Sequence, residues 1–216
     1  MYKPFSILFI FIFLCTSSYL SAQYGIRFQY IASLNDFPDT KNESSLSQGG
    51  MIALDYRYGF KNYRMGIGLM PYAKIIIPKG NFIIGVKDGE GILLDNAKAF
   101  GANFTFTYYP LDIIKCDCPT INKKGLWLKQ SLFLEPQLGY ELRNYKPKVS
   151  DGLDFRDQFI TAGLFVGVDM RMLSSLTLSP LLGVRKHFEL GRSKRLDNVS
   201  NPFGVEVGLR LGWGLL

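Results

Sequence analysis

The chain alternates apolar and polar side chains with a period of two residues over eight long segments. The last stretch, FGVEVGLRLGWGLL at 203–216, places Phe203, Val205, Val207, Leu209, Leu211 and Trp213 at odd positions and Gly204, Glu206, Gly208, Arg210 and Gly212 at even positions. A period of two is the repeat of a β-strand whose two faces meet different surroundings. The chain is therefore predicted to be all-β, and the open question is which face points inward.

The alternating segments cover residues 24–32, 51–58, 63–75, 100–109, 128–144, 158–171, 176–188 and 203–213. All exceed the roughly 5–6 residues of an average globular strand, and most reach or exceed the roughly 9–11 of a membrane-spanning one. Short connections at 59–62 and 172–175 contrast with long polar connections at 35–48, 79–96, 146–157 and 190–201. Transmembrane barrels have this pattern, with short periplasmic turns and long outer loops. The charged connection at 111–126 departs from it and is predicted to be a solvated excursion.

The two faces of these segments differ in a way that favours a membrane barrel over a soluble one. A soluble barrel points its apolar face inward, whereas a membrane barrel points it towards lipid. The polar face carries both charge signs and many of the 22 glycines, and glycine makes room inside a narrow barrel. Aromatic residues gather at the strand ends beside the short turns, as an interfacial belt requires: Tyr24, Tyr56, Tyr58, Tyr63, Tyr108, Trp127 and Trp213.

We therefore predict an eight-stranded antiparallel transmembrane β-barrel, closed by pairing of 203–213 with 24–32, because unpaired sheet edges are costly in hydrocarbon. Three prolines within segments predict bulges or unpaired amide positions: Pro71, Pro136 and Pro180. Eight strands leave an interior only wide enough for side chains, and buried charges must pair. The expected interior polar network comprises Arg27, Asp55, Arg57, Arg64, Lys74, Glu135, Glu141, Arg143, Asp169, Arg171, Arg185, His187, Glu189, Glu206 and Arg210. We expect this network to fill the lumen and leave little or no open channel.

The N-terminus has the anatomy of a secretory signal peptide. Lys3 supplies a positive charge, an apolar run follows at 5–14, and small residues lead to a cleavage site after Ala22. The apolar run is too short for a retained transmembrane helix, which needs about 20 residues. The expected domains are a cleaved signal peptide at 1–22 and a barrel at 23–216.

Two cysteines remain in the predicted mature chain, Cys116 and Cys118 in the sequence KCDCPT. An oxidising compartment would allow a disulfide, although a bridge across one residue closes a strained ring. A locally constrained turn is the other interpretation. A metal site needs more ligands than these two thiols, and no histidine is near them in sequence.

The chain resembles the small outer-membrane β-barrel proteins of Gram-negative bacteria, in particular PorT-like, porin-like barrels of the Bacteroidetes type. The signal peptide, eight amphipathic segments, four long connections and the ending GLRLGWGLL carry this resemblance. It implies a location in the cell outer membrane, contact with its lipid, and a last strand read by the barrel-assembly machinery. That strand usually ends in an aromatic residue; here the end is Leu216, with Trp213 the nearest aromatic. PorT-like relatives include a component of a protein-secretion and gliding apparatus.

The sequence contains no motif that predicts catalysis, and we expect no enzyme activity, no cofactor and no metal. His187 is the single histidine; a lipid-hydrolysing triad would need a serine within reach, and the alternative is a place in the interior network. Glu135 and Glu141 are either an acid and base pair or ion-pair partners of Arg143 and Arg171. The net charge of +7 comes from scattered basic residues, so no nucleic-acid partner is expected.

Three hypotheses for function follow. The first is a structural or interaction barrel whose outer loops contact envelope or secretion partners. The second is a narrow porin-like transporter for small solutes or apolar molecules. The third is an enzyme that acts on envelope lipids.

Overall fold

The computed structural model describes residues 20–34, 46–60, 64–79, 83–84, 92–112, 130–147, 155–173, 175–191 and 202–214. Its strands are β1 (Leu20–Leu34), β2 (Leu46–Phe60), β3 (Met65–Pro78), β4 (Ile83–Ile84), β5 (Ile92–Asp112), β6 (Gln130–Pro147), β7 (Phe155–Arg171), β8 (Leu176–Gly191) and β9 (Phe203–Gly214). All but the two-residue β4, which pairs with the start of β5, form a closed antiparallel barrel of eight strands. The predicted fold class is confirmed. Within the described ranges no helix is long and apolar enough to cross a membrane.

The barrel closes where β1 pairs with both β2 and β9, and where β3 pairs with β5. Following the pairings once around from Tyr24 passes through Tyr56, Leu69, Phe104, Leu138, Ala162, Lys186 and Phe203, and returns to β1 at Leu34. The path therefore returns ten residues further along the strand, from position 24 to position 34. Such a stagger means that the strands are strongly tilted, as in other small barrels with tilts of about 35–45°.

The barrel is apolar outside and polar inside. On β6, for example, Leu138 is 62% exposed whereas Glu135 and Glu141 are fully buried. The same contrast holds around the circumference, with Phe28, Leu54, Leu69, Phe104, Leu164, Leu182 and Val207 among the exposed apolar residues. A soluble protein would not expose such a continuous apolar surface. The polar face is the inner one, and the apolar belt faces lipid.

Several of the aromatic residues predicted to lie at the membrane interface are together at one end of the barrel. Tyr24 pairs with Tyr56 and Trp213 across the β2–β1–β9 junction. The rings of Tyr24 and Tyr56 are 4.9 Å apart, and the Tyr56 ring is also 4.9 Å from that of Tyr58. Tyr108 is exposed on β5, whereas Tyr63 and Trp127 lie outside the described residues.

The connections differ in length at the two ends. Residues 35–45, 79–91, 148–154 and 192–202 join strands at the end that we call outer. Residues 61–64 and 172–175 join them at the opposite end, which also carries 113–129. Several strands extend into regions that the sequence assigned to loops, since β2 begins at Leu46 and β5 at Ile92.

Two predictions about processing and redox state lie outside the described residues. Cys116 and Cys118 belong to 113–129, and residues 1–19 hold most of the predicted signal peptide. β1 is described from Leu20, although the predicted mature chain begins at Gln23. The pairing of β1 with β9, which closes the barrel, starts at Gln23. The closing strand pair therefore uses residues that follow the predicted cleavage site.

The three strand prolines do not produce bulges. Pro71, Pro136 and Pro180 are all exposed on the outer face, and the register is the same on both sides of each. The register shifts occur instead between Leu94 and Asn96, between Tyr108 and Leu111, and at Gln158. The bulge interpretation was therefore wrong at these positions.

Candidate functional site

Inward side chains meet in the lumen because β-strand alternation points every second residue to the same face. Large aromatic rings fit there since glycines on neighbouring strands leave space. A Cβ at Gly167 would collide with the ring of Phe133, and one at Gly183 would collide with the ring of Phe165. Both phenylalanines are fully buried. The glycines of the polar face therefore make room for neighbouring side chains.

Charged groups nearer the short-turn end gather around Glu135. Its carboxylate accepts hydrogen bonds from Arg27 at 2.7 Å, Arg57 at 2.6 Å and Arg210 at 3.2 Å. Arg27 and Arg210 are direct register partners on β1 and β9, and like charges placed opposite each other repel. Glu135 compensates this repulsion. We call Glu135, Arg27, Arg57, Arg210, Asp55 and Asp169 the lower cluster.

The two aspartates complete the lower cluster. Asp55 accepts a hydrogen bond from Arg27 at 2.8 Å, and Asp169 accepts one from Arg210 at 2.6 Å. Ser179 and Tyr109 also donate to Asp169, at 2.6 and 2.7 Å. The lower cluster thus holds three guanidinium groups against three carboxylates. This balance meets the requirement that buried charges be paired and hydrogen-bonded.

A second group of charges surrounds Glu141, six residues further along β6 towards the outer end. Glu141 accepts hydrogen bonds from Arg143 at 2.8 Å and Tyr72 at 2.9 Å, and its carboxylate lies 2.6 Å from Lys74 Nζ. His187 Nε2 is 3.0 Å from Lys74 Nζ and 3.4 Å from the Glu141 carboxylate. We call Glu141, Lys74, Arg143, His187 and Tyr72 the upper cluster.

A polar bridge joins the two clusters. Gln137 donates to Glu135 at 2.7 Å and accepts from Arg185 at 3.1 Å. Arg185 forms a 2.8 Å ion pair with Glu206 and lies over the ring of Tyr72 at 5.5 Å. The lumen therefore contains one continuous network of ion pairs, hydrogen bonds and cation–π contacts rather than isolated pairs.

Two contacts span the full width of the lumen. β1 and β6 lie four strands apart in either direction around the barrel, and so do β3 and β8. Arg27 on β1 nevertheless reaches Glu135 on β6 at 2.7 Å, and Lys74 on β3 reaches His187 on β8 at 3.0 Å. Opposite walls are thus in direct side-chain contact at two heights.

Most predicted network residues lie in these clusters or the bridge, but three do not. Arg64 is exposed in the turn before β3, because the strand begins one residue later and the position lies beyond the end of the lumen. Its assignment to the interior was wrong. Glu189 is half-buried towards the outer end of β8. Arg171 ends β7, and its side chain lies outside the described set.

Glu135 and Glu141 had two interpretations, an acid and base pair or partners in ion pairs with Arg143 and Arg171. Glu135 and Glu141 belong to different clusters, each with its own basic partners, so they do not form an acid and base pair. Glu141 does contact Arg143, as the ion-pair interpretation expected. The partners of Glu135 are Arg27, Arg57 and Arg210, which the sequence did not identify.

Several lumen residues are not part of the predicted network although they have the inward parity of their strands. These are Gln137, Asn103 and Thr161 among polar groups, and Phe133, Phe159, Phe165, Tyr72 and Tyr145 among aromatic ones. Asn103 accepts a hydrogen bond from Thr161 at 3.0 Å, between β5 and β7. Strand parity alone marks these positions, but large rings on the polar face went unrecognised because they interrupt the polar pattern.

The lumen shows no constellation for metal binding within the described residues. No group of three or more His, Cys, Asp or Glu side chains there could hold a metal ion. The described hydrogen-bonding partners of His187 are Lys74, Glu141 and the carbonyl of Pro202. Its ring also packs edge-on against Phe159 at 6.0 Å. A serine is not among these partners.

No protein-family model matches the chain, and no curated protein sequence matches it. Among solved structures it is similar to Neisserial surface protein A, NspA, with 10% identity and a TM-score of 0.50 over 88% of this chain and 96% of that one. It is also similar to Ail, the attachment invasion locus protein of Yersinia pestis, with 12% identity and a TM-score of 0.45 over 90% of this chain and 99% of that one. The likeness to NspA shows the fold. Together with the lipid-facing exterior, it identifies an outer-membrane β-barrel.

Proposed function

We propose that this protein is a sealed outer-membrane barrel that acts through its outer connections, as a structural or interaction protein, and is not an enzyme. The observation that carries the proposal is the contact between opposite walls at two heights, Arg27 with Glu135 and Lys74 with His187. A conducting pore needs a continuous aqueous path between its walls. Two ion-paired or hydrogen-bonded crossings close that path.

The composition of the lumen supports a static plug. The lower cluster pairs three guanidinium groups with three carboxylates, and Arg27, Glu135 and Glu141 are fully buried. Guanidinium groups bind carboxylates in a fixed fork geometry, and removing a partner from such a buried pair is strongly unfavourable. A mobile gate would need weaker and more hydrated contacts.

The proposal is tested by single-channel recording of the purified protein in planar bilayers. Native protein should give no steady conductance steps. A variant with Arg27→Ser, Glu135→Ser, Lys74→Ser and His187→Ser removes both crossings and should give them. The double variant Arg27→Ser/Glu135→Ser retains the Lys74–His187 crossing, and Lys74→Ser/His187→Ser retains the Arg27–Glu135 crossing. Each should remain closed, so the two double variants test the two crossings separately.

Folding must be verified for every variant by its β-sheet circular dichroism. An outward substitution, Leu138→Ala, serves as a matched control that leaves the lumen intact. Large, steady steps from native protein would contradict the sealed barrel and favour the narrow porin-like transporter. If one double variant conducts as much as the quadruple variant, the crossing removed in that double variant closes the lumen by itself.

The interaction partners in this proposal are envelope components or extracellular proteins bound at the outer end. Four connections emerge there, at 35–45, 79–91, 148–154 and 192–202, and binding residues tend to lie on loops held by a rigid scaffold. Cross-linking in native membranes, followed by affinity purification, should recover partners. Replacement of each connection by a short Gly-Ser linker should remove them one connection at a time.

Two other roles make different predictions. A PorT-like component of a secretion apparatus should co-purify with other subunits of that apparatus, and its deletion should stop secretion. An envelope-lipid hydrolase should release fatty acid from phospholipid or lipid A, and His187→Ala should abolish the release. We expect no such release, since the described contacts of His187 are a lysine, a glutamate, a backbone carbonyl and an aromatic ring.

A further inference from the structure

The outward face changes from apolar to basic near the outer end of three adjacent strands. Lys98 on β5, Lys146 on β6 and Arg156 on β7 are all exposed. Lys98 is the register partner of Asn144, and Asn144 is the partner of Arg156. With neighbouring strands about 4.8 Å apart, these side chains form one surface. We call Lys98, Lys146 and Arg156 the basic patch.

Other groups around the basic patch are mostly neutral amides. Asn144 lies between Lys98 and Arg156, Asn96 is the register partner of Lys146, and Gln158 is exposed two residues from Arg156. The carboxylate of Asp95 is also exposed and accepts a hydrogen bond from Asn96 at 2.8 Å. The buried Asp157 is 5% exposed and belongs to the inward face. Among the described residues, the patch therefore has a net positive charge and amide donors.

A groove in the apolar belt begins at the same place. It encloses about 850 Å³ on the outer surface and includes Lys98 in its lining. It lies where outward side chains are small: Gly50 has none, and Ala73 follows diagonally on β3. Its other outward-facing lining residues are apolar or aromatic: Phe28, Tyr30, Ile52, Ile75, Phe100, Val207 and Leu209. The inward-facing residues Gln29, Met51, Lys74 and Gly208 complete the lining.

We propose that the groove and the basic patch together bind one phosphate-bearing lipid of the outer leaflet. An acyl chain fills the groove, which extends over β9, β1, β2, β3 and β5, and a headgroup phosphate lies at Lys98, Lys146 and Arg156. Because the groove lies within the lipid-facing belt, hydrocarbon must cover it. Lys98 connects the two parts, because its long side chain can lie along the apolar groove and place its ammonium group at the headgroup level.

Charge complementarity decides between a phosphorylated lipid and a neutral one. Basic residues at a membrane surface attract anionic headgroups, and guanidinium binds phosphate through two parallel hydrogen bonds. Each basic residue near an anionic surface strengthens binding by about fivefold. Three together therefore favour a phosphorylated lipid strongly over a zwitterionic one.

The full-length mature protein in phosphatidylcholine nanodiscs containing lipid A provides the test, with retained lipid counted by native mass spectrometry. The variant Lys98→Gln/Lys146→Gln/Arg156→Gln should lower lipid A retention by at least about tenfold. Lys186→Gln is the matched control, since Lys186 is also outward but pairs with Ala162, six residues along β7 from Arg156. It should leave retention unchanged.

The groove is tested by Gly50→Leu. A Cβ at Gly50 meets no atom within 4 Å, so the barrel accommodates the side chain, which occupies part of the groove. Retention of lipid A should fall, and retention of a phosphate-free form should fall by the same factor. Inorganic phosphate at millimolar concentration should not displace lipid A, because a free ion lacks the chain.

Three results would overturn the proposal. One is native-like retention by the triple variant, and another is equal retention of lipid A and its phosphate-free form by the native protein. The third is an equal loss in Lys186→Gln, which would indicate general surface charge rather than a site. Circular dichroism and resistance of the folded barrel to unfolding in detergent establish that each variant is native.

Discussion

The lower and upper clusters fill the same lumen with different chemistry. In the lower cluster three arginines share three carboxylates, and Glu135 contacts all three arginines. In the upper cluster one carboxylate, Glu141, gathers a lysine, an arginine, a histidine and a tyrosine. Both glutamates lie on β6 and are fully buried. The contrast is between a closed set of guanidinium–carboxylate pairs and a mixed set centred on one acid.

If the barrel is sealed as proposed, this contrast separates a more rigid barrier from a more adaptable one. Planar guanidinium groups lock into carboxylates in fixed directions, whereas a lysine ammonium is a point charge on a flexible stem. The lower cluster is therefore the more rigid barrier. The upper cluster lies nearer the long outer connections, and His187 touches the carbonyl of Pro202 just before β9.

The largest expected effect is that of Glu135→Gln. The substitution keeps the shape but withdraws the negative charge from three arginines, and breaking a buried ion pair costs about 3–5 kcal/mol. The free energy of unfolding in urea, followed by tryptophan fluorescence in phosphatidylcholine vesicles, measures the loss. Glu206→Gln is the control, because Arg185 is its described ion-pair partner and a smaller loss is expected. An equal loss of unfolding free energy in both variants would contradict the larger contribution expected of the lower cluster.

Glu141→Gln should have a smaller effect, about 2–3 kcal/mol, in line with hydrogen bonds to charged groups. Glu141 contacts two basic side chains, Lys74 and Arg143, instead of three arginines. Adding Lys74→Met should recover part of the loss, because the unpaired ammonium is removed as well. The same urea titration measures both variants. A greater loss than in Glu135→Gln would reverse the ranking of the two clusters.

Gly139→Ala tests the packing between the clusters. Gly139 faces inward on β6 between Gln137 and Glu141, and a Cβ there would meet the side chain of Asn103 and, at 2.5 Å, the carbonyl oxygen of Ala102. Overpacking of this kind costs about 1–3 kcal/mol. Gly50→Ala on the outward face is the matched control and should be neutral, since its Cβ meets open space. Equal stability of the two variants would contradict the close packing of the lumen.

His187→Ala should have the smallest effect on stability, about 1 kcal/mol. It removes the contacts with Lys74 and Glu141 but leaves their 2.6 Å ion pair in place. Single-channel recording should still find no conductance, because the crossing from Arg27 to Glu135 remains. Conductance in this variant alone would mean that the upper cluster forms the whole seal.

The inward residues could be predicted from strand parity, but their partners could not. Arg27, Glu135 and Lys74 each lie at a polar position of an alternating segment, so the sequence indicated that they face the lumen. The sequence places Arg27 and Glu135 108 residues apart. Their contact depends on the ten-residue stagger of the closed barrel, which sets which residues share a height. Alternation repeats every two residues, and it does not encode this stagger.

The sequence by itself determined the class of fold, its polarity and its surroundings, because a period of two with glycine and charge on one face suits a closed barrel in lipid. It also indicated which residues point inward. Only the tertiary structure decided that Arg64 lies outside the lumen, that three arginines meet Glu135, and that Lys98 borders a groove. The reason is geometric: local pattern sets the face of each side chain, whereas strand order, stagger and closure set its neighbours across the barrel.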